Sequence, residues 1–284
     1  MNKLAINSPA KINIGLVVKS RRDDNYHNIE TIFYPLLLSD TIFFEKSDST
    51  EFVSNSNQLN NTGKNLISEA KEYLEEQVGR ALNVKIKLEK NIPIGAGLGG
   101  GSSNAAATLK ALNKLFDLNC NLKILLSIAL KIGSDVPFFI NPVPCFASSR
   151  GEKMRRVKLL LSEPILVVNP GIRISTKWAF DQINITQQND CIKKLSEKKV
   201  ITIEDIRKFA VNDFEQIVFN KFPEVKELKE KLYSFTPKFV ILTGTGSSVY
   251  AIFSNLQKAR NVKEYFENKY FTYLNYPVDQ ASIT

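Results

Sequence analysis

The chain has 284 residues, of which 43% are hydrophobic and 24% charged, and this is the composition of an ordinary globular protein. The sequence lacks any run of about 18 apolar residues and any apolar N-terminal signal segment, so we expect neither a membrane span nor secretion. The net charge of +9 comes from basic residues spread along the chain, which argues against a nucleic-acid partner.

The three cysteines, Cys120, Cys145 and Cys191, are scattered and form neither a CxxC pair nor a zinc-binding spacing. This usage predicts a reduced, cytoplasmic setting. The length favours two domains over one, and we place the boundary so that the domains are 1–157 and 158–284.

In the first part of the chain, alternating apolar and polar residues predict β-strands over 11–18, 27–47 and 84–90. Helical spacing of apolar residues predicts helices over 65–79, 104–116 and 121–133. The first of these helices should end at Gly79 and the last at Gly133, because glycine commonly terminates helices.

Further along, short strands or loops are expected over 135–140, 144–151 and 164–171. Helices are expected over 175–183, 202–235 and 256–269. The stretch 238–253 predicts two strands around a glycine turn, and 270–278 a last strand. Strands and helices mix without a βαβ rhythm, which predicts the α+β class.

The segment NIPIGAGLGGGSSNAAATLKAL, residues 91–112, places five of the chain's 13 glycines between Gly95 and Gly101. Glycines let backbone N–H groups approach an anion closely, and a helix N-terminus adds unpaired N–H groups and a favourable partial charge. Hydroxyls of Ser102 and Ser103 at the expected helix start could cap the helix or reach a phosphate. The segment therefore predicts a phosphate site, with a loop that serves only tight packing as the alternative.

Two familiar phosphate loops do not fit this segment. A Walker loop ends in GK[ST], whereas these glycines end in GSSN. The stretch GAGLGG matches GxGxxG, but no initial βαβ unit with a ribose-binding acid supports a dinucleotide site.

The pattern from Pro93 to Ala106 resembles the phosphate loop of the GHMP kinases, the superfamily of galactokinase, homoserine, mevalonate and phosphomevalonate kinases. SPAKINIGL, residues 8–16, resembles its first motif, and LTGTGSSVYAIF, residues 242–253, resembles its third. The resemblance implies a two-domain α+β fold. Its N-terminal domain would resemble domain 2 of ribosomal protein S5, its C-terminal domain would be ferredoxin-like, and the active site would lie in the interdomain cleft.

Further stretches are similar to one branch of that superfamily, which phosphorylates the 2-hydroxyl of a cytidylyl methylerythritol in the non-mevalonate isoprenoid pathway. They are RRDDNYHNIETIF, IGSDVPFFI, NPGIRISTKWAF and NDFE. The small-molecule substrate would then be cytidylyl methylerythritol. The alternatives are another small-molecule GHMP kinase, of the homoserine or mevalonate type, and a non-catalytic nucleotide-binding protein.

The resemblance implies that ATP, carrying Mg²⁺, lies on the glycine loop. The implied ATP-binding residues are Pro93, Ile94, Gly95, Ala96, Gly97, Leu98, Gly99, Gly100, Gly101, Ser102 and Ser103, with Asn65, Leu66 and Lys90 beside the nucleotide. Thr245, Gly246 and Ser247 belong to the third motif, and a plain β-hairpin turn is their alternative role. No protein ligand is expected for the metal beyond the serine hydroxyls, because no carboxylate pair dedicated to it is evident.

Asp135 alone could be either a turn residue or a base, and Lys11 could be a solvated lysine on a strand. The alternation of 11–15 puts Lys11 and Asn13 on one strand face. The resemblance makes Asp135 the catalytic base that accepts the hydroxyl proton. It also implies that Lys11 pairs with Asp135 and stabilises the charge that develops during phosphoryl transfer.

His27, the only histidine, could be a general base or a structural residue. The resemblance instead implies that Tyr26 stacks on cytosine, that Phe180 covers the opposite face and that His27 bonds the cytosine edge. Asn13 would bind the substrate as well, and Phe33 and Thr176 are further candidates for the same wall.

One departure from the branch is Asn25, which stands where relatives carry glycine. Because Asn tolerates left-handed backbone geometry, we expect the turn to persist. Ala96 stands where some relatives carry glycine, which is a minor change. We expect a monomer or a weak homodimer.

Overall fold

The computed structural model describes residues 2–61, 65–185 and 189–276. The chain forms two compact units, each built from several segments. The first unit takes Met1–Ala10, Leu38–Ile92 and Gly99–Pro142. The second unit takes Lys11–Leu37, Pro93–Leu98 and Val143–Thr284. The predicted boundary between residues 157 and 158 stays a prediction.

The strands in the described residues are β1 (Lys3–Arg21), β2 (His27–Lys46), β3 (Glu51–Ser54), β4 (Val84–Glu89), β5 (Cys145–Ser149), β6 (Lys153–Arg156), β7 (Ile165–Asn169), β8 (Phe239–Leu242), β9 (Val249–Ile252) and β10 (Phe271–Asn275).

The helices in the same residues are α1 (Asn57–Asn61), α2 (Leu66–Val78), α3 (Gly100–Leu115), α4 (Leu122–Ile132), α5 (Val136–Ile140), α6 (Thr176–Gln182), α7 (Cys191–Ser196), α8 (Ile203–Phe209), α9 (Glu215–Lys221), α10 (Pro223–Ser234) and α11 (Leu256–Glu267). In the part of the chain that the structure describes, none of these helices is both long enough and apolar enough to cross a membrane.

The first unit combines a small sheet with α2, α3, α4 and α5. In the sheet, β4 pairs antiparallel with the second half of β2 and parallel with β3. Buried apolar side chains alternate along β4 with exposed lysines, as the sequence predicts. α3 packs against α2, α4 and α5. Ala105, Ala106 and Ala107 are buried on α3, because small side chains allow such close packing of helices.

The second unit contains a four-stranded antiparallel sheet in the order β10-β7-β9-β8. α10 packs against β8 and β9, and α11 packs against β7 and β10. Leu166 and Ala251 of the sheet share one apolar core with Leu228 of α10 and Phe266 of α11. The first half of β2 pairs with β5, which pairs with β6, and β1 pairs with β2.

Most predicted elements are confirmed, and the exceptions concern their bounds or type. The stretch 135–140 was expected to be a short strand or loop, which is wrong for 136–140, because Val136–Ile140 is the helix α5. Proline in its first turn is compatible with helix geometry, and all five side chains are buried. Asp135 accordingly lies between two helices rather than at a helix-to-strand turn. Of the predicted last strand, positions 277 and 278 lie outside the described residues.

Candidate active site

Lys11 and Asn13 are brought together on β1 by the alternation of the strand. Lys11 Nζ donates to Asn13 Oδ1 at 2.6 Å and lies 5.0 Å from the centroid of the Phe33 ring. Lys11 is only 4% exposed and Asn13 only 1% exposed, so the alternative of a solvated lysine is excluded. A buried ammonium held in this way is a fixed positive charge, which suits the stabilisation of an anionic group.

Asn13 is in turn anchored by the third motif. Its backbone N–H donates to Thr243 Oγ1 at 2.9 Å, and its carbonyl accepts from Tyr250 Oη at 3.3 Å. Its side-chain Nδ2 donates to Thr31 Oγ1 at 2.9 Å. The strand that carries Lys11 is therefore held in one position relative to the β8–β9 turn.

The first half of the glycine loop, Pro93–Leu98, packs on the same turn. Gly97 has a φ of +78°, and a Cβ at this position would lie 2.3 Å from the Thr243 carbonyl oxygen. Ser248 donates its backbone N–H to the Ala96 carbonyl at 3.2 Å, and Lys11 donates its backbone N–H to the Leu98 carbonyl at 2.9 Å. The loop is thus held by backbone contacts that leave no room for side chains at Gly97.

The second half of the glycine segment starts α3. The helix begins at Gly100, four residues before the predicted range of 104–116, and its N-cap Gly99 has a φ of +72° and offers no side-chain cap. Ser103 is fully buried, and its hydroxyl oxygen has no hydrogen-bond partner among the described residues. An uncapped helix start with an unsatisfied buried hydroxyl can accept an anionic ligand, since both features offer hydrogen-bond donors.

Lys90 lies immediately before the loop, and its side chain is engaged within the protein. Its Nζ lies 2.6 Å from Asp40 Oδ2 and donates to the Ile92 carbonyl at 2.6 Å. Burial lowers the pKa of Lys90, while the Asp40 carboxylate opposes this shift. Asn65, the other residue predicted beside the nucleotide, caps α2, since its Oδ1 accepts from Ile67 and Ser68.

Asp135 is at the N-cap position of α5, where it has a helical φ of −84° and is half-buried. The apolar residues of α5 follow it directly. Among them, Phe138 and Phe139 are buried and contact each other edge to face. The carboxylate is therefore carried by a short, well-packed element of the first unit.

The turn between β1 and β2 keeps the left-handed geometry that was expected with Asn25 in place of the relatives' glycine. Asn25 has a φ of +63°, in the left-handed region. Arg22 closes the turn by donating its backbone N–H to the Tyr26 carbonyl at 2.8 Å. Tyr26 is 49% exposed, and the Arg150 guanidinium lies 3.6 Å from the centroid of its ring.

His27 and Phe180 are brought together from positions far apart in the sequence. Their rings stack with centroids 5.1 Å apart, and Phe180 meets Phe214 edge to face at 4.8 Å. Burial and, to a smaller extent, the charge of Arg21 lower the pKa of His27. Of the weaker candidates, Phe33 is buried beside Lys11, whereas Thr176 is exposed at the start of α6.

Sequence reasoning missed Asp40, Thr243 and Arg150. Asp40 could have been noticed as a lone charge within the apolar strand LLLSDTIFF. Thr243 lies within the third motif, but its contact with Asn13 could not be read from that motif, and Arg150 carries no local signal, because both partners are distant in sequence. Within the described ranges, no group of three His, Cys, Asp or Glu side chains could hold a metal ion.

Comparison with known proteins gives the family. Residues 65–141 match the GHMP kinases N terminal domain, and residues 194–272 match the GHMP kinases C terminal domain. The chain is 34% identical over 277 residues to the 4-diphosphocytidyl-2-C-methyl-D-erythritol kinase of Chlorobaculum parvum, covering 95% of this chain and 96% of that protein. It is 36% identical over 265 residues to the enzyme of that name from Thermodesulfovibrio yellowstonii, covering 91% and 92% of the two chains.

A solved structure supports the same assignment. The crystal structure of a 4-(cytidine 5'-diphospho)-2C-methyl-D-erythritol kinase is similar with a TM-score of 0.79 at 28% identity, over 96% of this chain and 98% of that one. The expected α+β GHMP kinase fold is therefore confirmed. The chain belongs to the 4-diphosphocytidyl-2-C-methyl-D-erythritol kinases, within the GHMP kinase family.

Proposed function

We propose that this chain transfers the γ-phosphoryl group of ATP to the 2-hydroxyl of 4-diphosphocytidyl-2-C-methyl-D-erythritol. The observation that carries this proposal is the similarity, over more than nine tenths of both chains, to relatives named as kinases of this compound. Lys11 and Asp135 lie in the stretches SPAKINIGL and IGSDVPFFI, which resemble motifs of the family.

On the ATP side, the residues present fit a phosphate chain. Ser103 has a buried hydroxyl without a partner in the described residues, and α3 begins without a side-chain cap. The positive φ angles of Gly95, Gly97 and Gly99 give the loop a conformation that few other residues adopt. Such loops direct backbone N–H groups at phosphate oxygens.

The proposed chemistry needs a positioned base and a fixed positive charge. The 2-hydroxyl oxygen attacks the γ-phosphorus, the bond to the leaving ADP oxygen breaks, and Asp135 accepts the hydroxyl proton. Lys11 is held by Asn13 Oδ1 and the Phe33 ring, and its ammonium would stabilise the charge on the transferred group. The site supplies positioning and electrostatics, which dominate phosphoryl transfer.

The acceptor is proposed to bind through its cytosine. Tyr26 offers an exposed ring. The rings of His27 and Phe180 stack on each other, and Phe214 contacts the Phe180 ring edge to face. Stacking on aromatic rings combined with hydrogen bonds to a base edge is a common way to bind nucleobases. Asn13, Phe33 and Thr176 complete the proposed substrate wall.

Three further parts of the proposal concern the setting of the reaction. Mg²⁺ would be held by the ATP phosphates and the hydroxyl of Ser102 or Ser103, and when bound it neutralises charge on the phosphate oxygens. The protein would act as a monomer or weak homodimer in the cytoplasm. The three free cysteines are consistent with a reducing compartment.

A coupled ADP-release assay tests the proposal. Wild-type protein is given ATP with the cytidylyl acceptor, homoserine or mevalonate in parallel reactions, and the product is identified by mass spectrometry. We expect turnover with the cytidylyl acceptor alone. Turnover with homoserine or mevalonate instead would assign another GHMP activity, and ATP binding without turnover on any acceptor would indicate a non-catalytic protein.

A further inference from the structure

Asp40 is a fully buried carboxylate in the middle of the apolar part of β2. It accepts four hydrogen bonds. Oδ1 accepts the backbone N–H groups of Asn91 at 2.7 Å and Ile92 at 2.8 Å. Oδ2 accepts from Lys90 Nζ at 2.6 Å and from Asn104 Nδ2 at 2.9 Å. A carboxylate has about four lone-pair sites, so its capacity to accept is fully used.

The four donors come from the two ends of the glycine loop. Lys90, Asn91 and Ile92 directly precede Pro93, whereas Asn104 lies near the start of α3, after the last glycine. Asn104 also donates to Ser8 Oγ at 2.6 Å, which fixes the orientation of its side chain. One carboxylate therefore sets the spacing between the segment that leads into the loop and the helix that leaves it.

The packing around the ion pair of Lys90 and Asp40 leaves little freedom for the distance between the segment before the loop and α3. A Cβ on Gly100, the first residue of α3, would lie 2.9 Å from Lys90 Nζ and 3.0 Å from Ile92 Cγ2. Lys90 Nζ thus lies directly against the helix start. The glycine at position 100 is explained by this contact, in addition to any contact with a ligand.

Stability alone is a poor reason for such an arrangement. Buried ion pairs often add little net stability compared with apolar residues of similar volume, because both charges must be removed from water. A fully satisfied polar network does fix a unique arrangement of its groups, since each hydrogen bond fixes the orientation of its partner. The network around Asp40 is built to hold two chain segments in one geometry.

We propose that Asp40 is a positioning residue for ATP, acting through Lys90, the backbone of Asn91 and Ile92, and Asn104 to hold the ends of the phosphate-binding loop. The proposal rests on the proposed function in that the loop is taken to bind the phosphates of ATP. Asp40 itself does not touch the nucleotide. The Lys90 ammonium serves this network rather than binding the nucleotide through its side chain.

The test compares Asp40→Asn with Glu75→Gln as a matched control. Glu75 is a partly buried carboxylate of the first unit that, like Asp40, accepts from a lysine and a backbone N–H, with Lys71 Nζ at 2.7 Å and the N–H of Leu82 at 2.6 Å. In Asp40→Asn the amide N–H₂ would face Lys90 and Asn104, both of which are donors. A third variant, Asn104→Ala, keeps the ion pair and removes the side-chain hydrogen bonds of Asn104 to Asp40 and Ser8.

We expect Asp40→Asn to raise KM for ATP and Kd for Mg-ADP by about ten-fold or more, the scale of one lost charge-assisted hydrogen bond. KM for the acceptor should stay within about two-fold, as should both constants in Glu75→Gln. Asn104→Ala should show an intermediate rise in the nucleotide constants. A merely structural role would lower the melting temperature and the active fraction without moving Kd for the nucleotide.

A folded Asp40→Asn protein with unchanged nucleotide constants overturns the proposal, and so does an equal rise in both KM values. If circular dichroism shows that Asp40→Asn does not fold, an unchanged Kd in Asn104→Ala overturns it. Direct titration with Mg-ADP and a non-hydrolysable ATP analogue needs no acceptor. Wild-type protein that binds nucleotide but does not turn over the cytidylyl acceptor would therefore contradict the proposed function and leave the inference about Asp40 testable.

Discussion

Gly97 lies against the backbone of Thr243, where a Cβ would come within 2.3 Å of the carbonyl oxygen and within 3.0 Å of the Gly246 carbonyl. Both neighbours are backbone atoms and cannot rotate away as a side chain could. Gly97→Ala should therefore displace the loop and reduce kcat/KM for ATP by about 100-fold or more, since small misplacements of positioning groups have effects of this size. Steady-state kinetics at saturating acceptor measures the change.

Gly79→Ala is the control for the backbone part of this effect. Gly79 ends α2 with a φ of +66°, close to the +78° of Gly97, but a Cβ there meets nothing within 4 Å. Both variants should lose about 1 kcal/mol of stability through left-handed strain, visible as a lower melting temperature. Only Gly97→Ala should lose activity, and equal kinetics in the two variants would show that the contact with Thr243 is not important.

Asp135→Asn tests the proposed base. The amide cannot accept the hydroxyl proton, so kcat should fall by about 10²- to 10⁴-fold, the usual contribution of general base catalysis. Kd for Mg-ADP should stay within about two-fold, because the loop and α3 remain intact. Rapid-quench measurement of phosphorylated product, together with nucleotide titration, separates the two effects.

Asp117→Asn is a suitable control for the same chemical change. Asp117 is exposed between α3 and α4 with a φ of +51°, a conformation that asparagine adopts as easily as aspartate. Its kcat should equal that of the wild type. Normal turnover in Asp135→Asn would remove Asp135 from the proposed mechanism.

The parts of the site that residue patterns located without the family resemblance are those whose signal is local. The glycine segment is recognisable because glycine, serine and alanine follow one another within a few residues, and the shared face of Lys11 and Asn13 follows from strand alternation. The left-handed turn at Asn25 follows from the backbone preference of a single residue type. Each of these predictions needs only neighbours in the chain.

Long-range partners could not be found in the same way. The donors to Asp40 are 50 to 64 residues away along the chain, and Asn13 donates its backbone N–H to Thr243 across 230 residues. The helix α5 was missed because a run of valine and phenylalanine is typical of strands, and tertiary packing decided otherwise. Only folding brings such groups together, so a single sequence carries no record of their distances.

Tyr26→Ala and Phe180→Ala test the proposed cytosine site. Base stacking on an aromatic ring is worth about 1–3 kcal/mol, so each variant should raise KM for the acceptor by about 5- to 150-fold. KM for ATP should hardly change. Tyr233→Ala provides the control, because Tyr233 is 69% exposed on α10, and this variant should match the wild type. An unchanged acceptor KM in Tyr26→Ala would argue against stacking on that ring.

The lowered pKa of His27 should also appear in the pH dependence of stability. Burial and the charge of Arg21 shift this pKa below the ordinary value of 6.5. Between the folded and unfolded pKa values the unfolded state binds more protons, so His27 lowers the free energy of unfolding as the pH falls below 6.5. Chemical denaturation across this range should show a smaller acid loss in His27→Asn than in the wild type.

The same shift makes a prediction for binding of the acceptor. A neutral imidazole offers one donor and one acceptor to the cytosine edge, whereas the imidazolium offers two donors. Because the folded pKa lies below 6.5, KM for the acceptor should be constant from about pH 7 to pH 8.5 and should rise only below pH 6.5. In His27→Asn this acid rise should be absent, since the amide does not titrate. A wild-type profile with its midpoint above 6.5 would mean that another group controls binding of the acceptor.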